Sequence, residues 1–194
     1  MITNNNSDVS VNLSNNDVTI HKNRCEPWNV TLLYTGRNTK TAGRIFKAKE
    51  IIGNEPFLLT YGDGVADVDI NAIIDCHKKS HKACTLTAYQ PEGRYGALGI
   101  EDDGSVIKFS EKPKDGGGWI NAGFFVCEPS VFDYIPKDCS ELMWEEGPLK
   151  ELAKAGELNS YKHTGFWHPM DMLKDKTDLN AMWNKNQAPW KVWN

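Results

Sequence analysis

The sequence predicts an α/β fold: a mixed, mainly parallel sheet flanked by helices, with a β-hairpin and a C-terminal helical appendage. Three observations carry this. Short apolar, β-branched runs at 29–35, 56–61 and 83–89 are separated by segments whose apolar residues recur at helical spacing. Turn residues such as Gly53-Asn54 and Gly62-Asp63-Gly64 close these segments. Beyond them, Asp102-Asp103-Gly104 between two β-rich runs marks a hairpin.

Taken in order, residues 1–16 are polar and Asn-rich, and residues 1–19 are expected to be irregular. The alternation of Val9, Val11 and Leu13 leaves room there for a short edge strand. Asn29–Thr35 reads as a strand closed by Gly36, and 37–43 as a polar loop. Ile45, Ala48, Ile51 and Ile52 then repeat at helical spacing from Gly43 on. Pro56–Tyr61 is nearly continuous in apolar character, which suits a strand buried on both faces. Asp69 is placed to cap a helix carrying Ile70, Ile73, Ile74 and His77, and Ala83–Tyr89 follows as a strand. After the hairpin come a strand at 119–126, helical stretches at 129–135 and 149–155, an extended run at 158–166 and a last helix at 175–183. No long linker divides the chain, so a single domain over 1–194 is expected, with 158–194 as its appendage.

The chain has 194 residues, 40% of them apolar and 25% charged, with a net charge of −4. That balance lacks the basic face of a nucleic-acid binder. No apolar run approaches the ~18 residues of a membrane span. The start, Met1-Ile2-Thr3-Asn4, has no secretory pattern, so a cytoplasmic location is expected. Five cysteines without CxxC or CxH spacing argue against a disulfide framework or a zinc site, and read as small apolar residues. Trp183, Trp190 and Trp193 crowd the C-terminus, so the tail is expected to dock, either on its own domain or on another subunit.

Ligands of open α/β sheets sit beyond the carboxyl ends of the strands. Asp63 follows such a strand between two glycines, where it suits a turn as well as a metal ion. Asp171 ends an aromatic run and suits a helix terminus as well as a metal. Two carboxylates brought together repel, and a divalent cation reverses the sign; Mg²⁺ is the usual ion beside phosphates. Lys112, after a strand, is a point charge for a phosphate or an exposed hairpin end. Its neighbour Glu111 can accept from sugar hydroxyls. Asn121 stands among large apolar residues and needs a partner, from a ligand or from its own sheet. Arg94 lies in a glycine-flanked loop, by default on the surface.

Taken together, Leu59-Thr-Tyr-Gly-Asp-Gly-Val65, Gly93-Arg-Tyr-Gly-Ala-Leu98, Phe109-Ser-Glu-Lys-Pro113, Ile120-Asn-Ala-Gly-Phe-Phe125 and Gly165-Phe-Trp-His-Pro-Met-Asp171 resemble the sugar-1-phosphate nucleotidyltransferases. Cys25-Glu-Pro-Trp-Asn-Val30 and Ala188-Pro-Trp-Lys-Val-Trp193 are similar to the branch that joins CTP and α-D-glucose 1-phosphate into CDP-glucose and diphosphate. The resemblance implies a Rossmann-like nucleotide-diphospho-sugar transferase fold and a role in deoxysugar polysaccharide biosynthesis. It also implies a homo-oligomer with no nucleic-acid or membrane partner. It implies that Asp63 and Asp171 hold Mg²⁺, and that the loop from Thr39 to Arg44 and Gly62 approach the nucleotide, with Arg94 and Gly96 also lining the substrate site. By the same resemblance Glu111, Lys112, Asn121 and Gly123 belong to the sugar-phosphate side, with Lys112 also catalytic.

The sequence departs from the family in lacking a Gly-Gly-x-Gly-Thr-Arg loop and a Pro-Lys-Pro lysine; its only glycine run, Gly116–Gly118, precedes a strand. The fold is therefore expected to be incomplete at its N-terminal end, with an unpaired sheet edge and little turnover by the chain alone. Gly147 stands where a Glu is common, and Met172 and Lys174 replace a usual Thr and Arg. Two alternatives remain: a non-catalytic sugar-phosphate-binding or assembly subunit, and a uridylyl- or thymidylyltransferase.

Overall fold

The computed structural model describes residues 8–22, 28–91, 97–101, 104–110 and 118–193. The chain forms two units, residues 1–34 and 35–194.

In the first unit, β1 (Asp8–Asn12) and β2 (Asp17–Lys22) form an antiparallel hairpin with Asn12 opposite Asp17. Within the stretch expected to be irregular, residues 8–12 and 17–19 are therefore in strands. The turn is made by its asparagines: Asn12 and Asn15 side chains accept from the backbone N–H of Ser14 and Asp17, and Asn16 takes the left-handed conformation. Leu13, expected in the strand, falls in this turn. The expected strand at 29–35 is not formed. Val30, Leu32 and Tyr34 are exposed, and the segment has no ladder partner among the described residues. β-Propensity is expressed through neighbouring strands, and without one it fixes nothing.

The second unit is built on a four-stranded sheet in the order β3-β8-β5-β9, comprising β3 (Phe57–Thr60), β5 (Cys84–Tyr89), β8 (Ile120–Cys127) and β9 (Leu158–His163). β8 runs antiparallel to both β3 and β5, and β5 pairs parallel with β9. Three of the four strands thus share one direction, and the sheet is mixed, as expected. Only one neighbouring pair is parallel, because β8 is inserted between the two strands of the β3–helix–β5 unit. β3 lies at the sheet edge, where Leu58 is 56% exposed, so the expected burial on both faces does not hold.

Helices cover both faces. On one, α1 (Thr41–Ile52), a 3-10 turn (Pro129–Tyr134) and α3 (Pro148–Lys154) pack Ala42, Phe132, Leu149 and Leu152 against Cys84, Phe125 and Cys127 around the fully buried Trp144. α1 starts two residues before Gly43, because the carbonyls of Ser140 and Leu142 accept the N–H groups of Lys40 and Ala42 that a helix start leaves open. On the other face lies α2 (Ile70–Ser80), capped as expected by Asp69, whose side chain accepts from Ala72 N–H. Its buried His77 meets Thr85 of β5 at 2.9 Å. The stretch at 129–135 is a 3-10 turn rather than an α-helix.

Outside this sheet, β6 (Ala97–Ile100) and β7 (Val106–Ser110) form the expected hairpin, with Gly104 at positive φ in its turn. The strand β4 (Gly64–Ala66) pairs antiparallel with β10 (Trp167–Pro169). The last helix, α4, spans Leu173–Asn184. The tail after it packs within its own unit: Trp190 lies 5.4 Å from Phe166, and Trp193 6.3 Å from Trp183.

Candidate functional site

Where β3 ends, Tyr61, Gly62 and Asp63 lead directly into β4. The β4–β10 ladder pairs Gly64 with Pro169, and one step further Met170 N–H donates to the Asp63 carbonyl at 2.7 Å. Asp171, the next residue, is thereby brought beside the Gly62–Asp63 turn. Both aspartates are exposed. The ladder is braced at each end by another carboxylate. Asp67 accepts from Phe166 N–H at 2.7 Å and faces His163 Nε2 at 3.1 Å. Asp175, 9% exposed, accepts from the N–H groups of Asp171 at 3.2 Å and Met172 at 2.9 Å. Trp167 ties the same ladder to the sheet, donating from Nε1 to the Ala122 carbonyl at 2.8 Å.

A second group lies at the start of β8. Asn121 Oδ1 accepts from Gly123 N–H at 2.9 Å, and its Nδ2 faces the Tyr61 hydroxyl at 3.4 Å. Tyr61 N–H in turn donates to the Gly123 carbonyl at 3.0 Å. Gly123 has φ +82°, and a Cβ there would sit 2.7 Å from the Tyr61 ring. Only glycine therefore lets the ring lie against the strand. The Tyr61 hydroxyl donates to Glu145 Oε1. Burial, reinforced by the Glu145 carboxylate, pushes the Tyr61 phenol well above its ordinary range and keeps it a donor.

The remaining sequence candidates are placed as follows. Thr39 is packed between Gly36 and Gly43, so closely that a Cβ on either glycine would fall within 3 Å of its side chain. Arg44, in α1 rather than in the expected loop, spends its guanidinium on the Thr35 hydroxyl at 2.6 Å. Thr39 stands just before this helix, whose Thr41 hydroxyl faces Glu145 Oε2 at 3.4 Å. Arg94, Gly96, Glu111 and Lys112 lie outside the described residues. Tyr61, Asp67, Glu145 and Asp175 are additions that sequence reasoning passed over. None carried a sequence signal of its own, since each acts through contacts made in the fold.

Among the described residues no cluster of three or more His, Cys, Asp or Glu is placed to hold a metal. Asp63 and Asp171 each offer the carboxylate oxygens that Mg²⁺ takes, usually one or two carboxylates with water and substrate phosphates in its other positions.

The chain is similar to known proteins over most of its length. A sequence model of the family described as nucleotidyl transferase matches residues 2–183. A glucose-1-phosphate cytidylyltransferase of Salmonella typhi is 51% identical over 188 residues, covering 96% of this chain and 72% of that protein. The mannose-1-phosphate guanylyltransferase catalytic subunit beta of Drosophila melanogaster is 31% identical over 147 residues, covering 73% of this chain and 39% of its own. Among solved structures, a Bacillus anthracis protein in complex with a sucrose superposes with a TM-score of 0.60 at 19% identity, over 82% of this chain and 65% of that one. HddC from Yersinia pseudotuberculosis, complexed with GMP-PN, gives a TM-score of 0.54 at 20% identity, over 76% of this chain and 64% of its own. These two show the fold alone. The family match over most of the chain, with the Salmonella relative beside it, establishes that the protein belongs to the nucleotidyl transferase family.

Proposed function

We propose that the protein transfers a cytidylyl group from CTP to α-D-glucose 1-phosphate, yielding CDP-glucose and diphosphate for bacterial deoxysugar polysaccharide such as O-antigen. The observation that carries this is the 51% identity to the Salmonella typhi cytidylyltransferase over 96% of the chain. The family match across residues 2–183 supports reading the chain as a single transferase domain. No helix among the described residues is long and apolar enough to cross a membrane. On the family resemblance we assign the protein to the cytoplasm, as a homo-oligomer.

In this reading a phosphate oxygen of glucose 1-phosphate attacks the α-phosphorus of CTP in line. A new P–O bond forms as the bond to diphosphate breaks, and no side chain becomes covalently attached. Asp63 and Asp171 would hold Mg²⁺, which supplies charge neutralisation to the phosphates when bound. Asn121 has one N–H and one lone pair left after its bonds to Tyr61 and Gly123, and offers them to a sugar hydroxyl. We assign Glu111, Lys112 and Gly123 to the same sugar-phosphate side, with Lys112 neutralising phosphate charge. Thr39, Arg44, Gly62, Arg94 and Gly96 are assigned to the nucleotide side. The protein's contribution is then positioning and electrostatics.

The test has two measurements. Calorimetry reads glucose 1-phosphate binding, and a diphosphate-release assay with product chromatography reads transfer in CTP, UTP and dTTP. Turnover by the chain alone is expected to be low, and the CDP-glucose that forms is expected to show a preference of about tenfold or more for CTP. Preference for UTP or dTTP replaces the nucleotide assignment. Binding without transfer supports a sugar-phosphate-binding subunit instead. Absence of glucose 1-phosphate binding overturns the reading.

A further inference from the structure

We infer that Glu145 is a positioning residue for the sugar-phosphate subsite, fixing the donor pattern of Asn121 through the Tyr61 hydroxyl; this rests on the transfer reading above. Glu145 follows the fully buried Trp144, so its backbone is anchored in the core. Its two oxygens serve two different elements. Oε1 accepts from Tyr61 at the end of β3, and Oε2 faces the Thr41 hydroxyl at the start of α1 at 3.4 Å. Thr41 is itself fixed, because its oxygen accepts from Trp144 N–H at 2.7 Å.

The consequence follows from counting donors. A tyrosine hydroxyl has one proton. With that proton committed to Glu145, only the lone pairs of the Tyr61 oxygen face Asn121, so the amide must present Nδ2 to it. Gly123 N–H enforces the same orientation from the other side by donating to Oδ1. The two constraints agree, and the amide's free N–H and free lone pair take defined places. Without the Glu145 carboxylate the Tyr61 proton is free to turn to Asn121 Oδ1, and the opposite amide orientation gains a partner. A sugar hydroxyl would then meet a mixed population of donor and acceptor. The carboxylate touches no substrate atom in this account; it acts through the phenol.

Calorimetric titration of glucose 1-phosphate, in Mg²⁺, into the wild-type protein, Glu145→Ala, Glu145→Gln and Tyr61→Phe tests this, with circular dichroism as the folding control. Glu145→Ala is expected to weaken binding about tenfold, the scale of one hydrogen bond to a charged group. Glu145→Gln, whose amide oxygen still accepts from Tyr61, is expected to stay within about threefold of wild type. Tyr61→Phe removes the hydroxyl and with it the hold on Asn121 Nδ2, is expected to weaken binding by at least about threefold, and carries the test if the alanine variant does not fold. Unchanged affinity in Glu145→Ala or Tyr61→Phe overturns the inference while leaving the transfer reading intact. Equal losses in the alanine and glutamine variants overturn it as well. Wild-type protein that does not bind glucose 1-phosphate overturns the transfer reading itself, and this inference with it.

Discussion

The backbone N–H of Met170 reaches the carbonyl of Asp63 at 2.7 Å, and this bond brings Asp171, the next residue, to the Gly62–Asp63 turn. It extends a ladder of only three residue pairs between β4 and β10, a short join that would be weak alone. Asp67, Asp175 and Trp167 hold it from three directions. Two exposed acids are thus carried on a braced frame.

The bracing by Asp175 leads to a first prediction. Its carboxylate takes two N–H groups at the entry of α4, one of them belonging to Asp171. Asp175→Ala is expected to cost about 1 kcal/mol in urea unfolding, the usual worth of such a cap. It is also expected to raise the Mg²⁺ concentration for half-maximal transfer by about tenfold, as removal of a residue behind a metal ligand does. A variant with unchanged Mg²⁺ requirement would show that Asp175 only caps the helix.

Gly123→Ala should destabilise the fold by about 1–3 kcal/mol. The position is buried at φ +82°, and the added methyl would meet the Tyr61 ring at 2.7 Å. Chemical denaturation measures it; a loss below about 0.5 kcal/mol, the scatter of surface substitutions, would mean that the ring moves aside freely.

Tyr61 gives the protein an alkaline dependence. Its folded-state pKa is raised above the ordinary value of 10.0, mainly by burial and then by Glu145. A raised value means that the folded state holds the proton more tightly. The stabilisation is fully present below the unfolded pKa and is lost as pH climbs from there toward the folded value. The urea midpoint of the wild-type protein should therefore fall between about pH 9 and pH 11, and fall less in Tyr61→Phe. Parallel declines in the two proteins would contradict the assignment.

Cys84 and Cys127 face each other across β5 and β8 with sulfurs 3.8 Å apart, both fully buried. The Cys84 thiol, followed by burial, drives the Cys127 thiol far above its ordinary range. In a Cys25→Ser, Cys76→Ser, Cys139→Ser background, Ellman's reagent should label neither until the protein unfolds. Rapid labelling of either in the native state would refute this packing.

Much of the sheet frame was legible in the sequence. The repeat at 45–52, the Asp69 cap and the Asp-Gly hairpin are local signals, and each acts where it stands. The insertion of β8 between β3 and β5 was not legible, because strand order depends on pairing between distant segments. The run at 29–35 misled for the same reason: its propensity had no neighbour to act on. At the site, Gly62, Asp63 and Asp171 stood out as acids and glycines in unusual company. Glu145 and Asp175 did not, since their roles come from contacts with Tyr61 and with the Asp171 backbone. Neither contact is visible until the chain is folded.

The central claim is that Asp63 and Asp171 share one divalent cation. Mn²⁺, standing in for Mg²⁺, reports this by electron paramagnetic resonance in the presence of CTP. The wild-type protein should bind one ion per chain. Asp63→Asn and Asp171→Asn should each weaken that binding by at least about tenfold, and the double variant by little more than either alone, as for two ligands of one ion. Unchanged Mn²⁺ affinity in either single variant, or losses that add as for separate sites, would contradict the account.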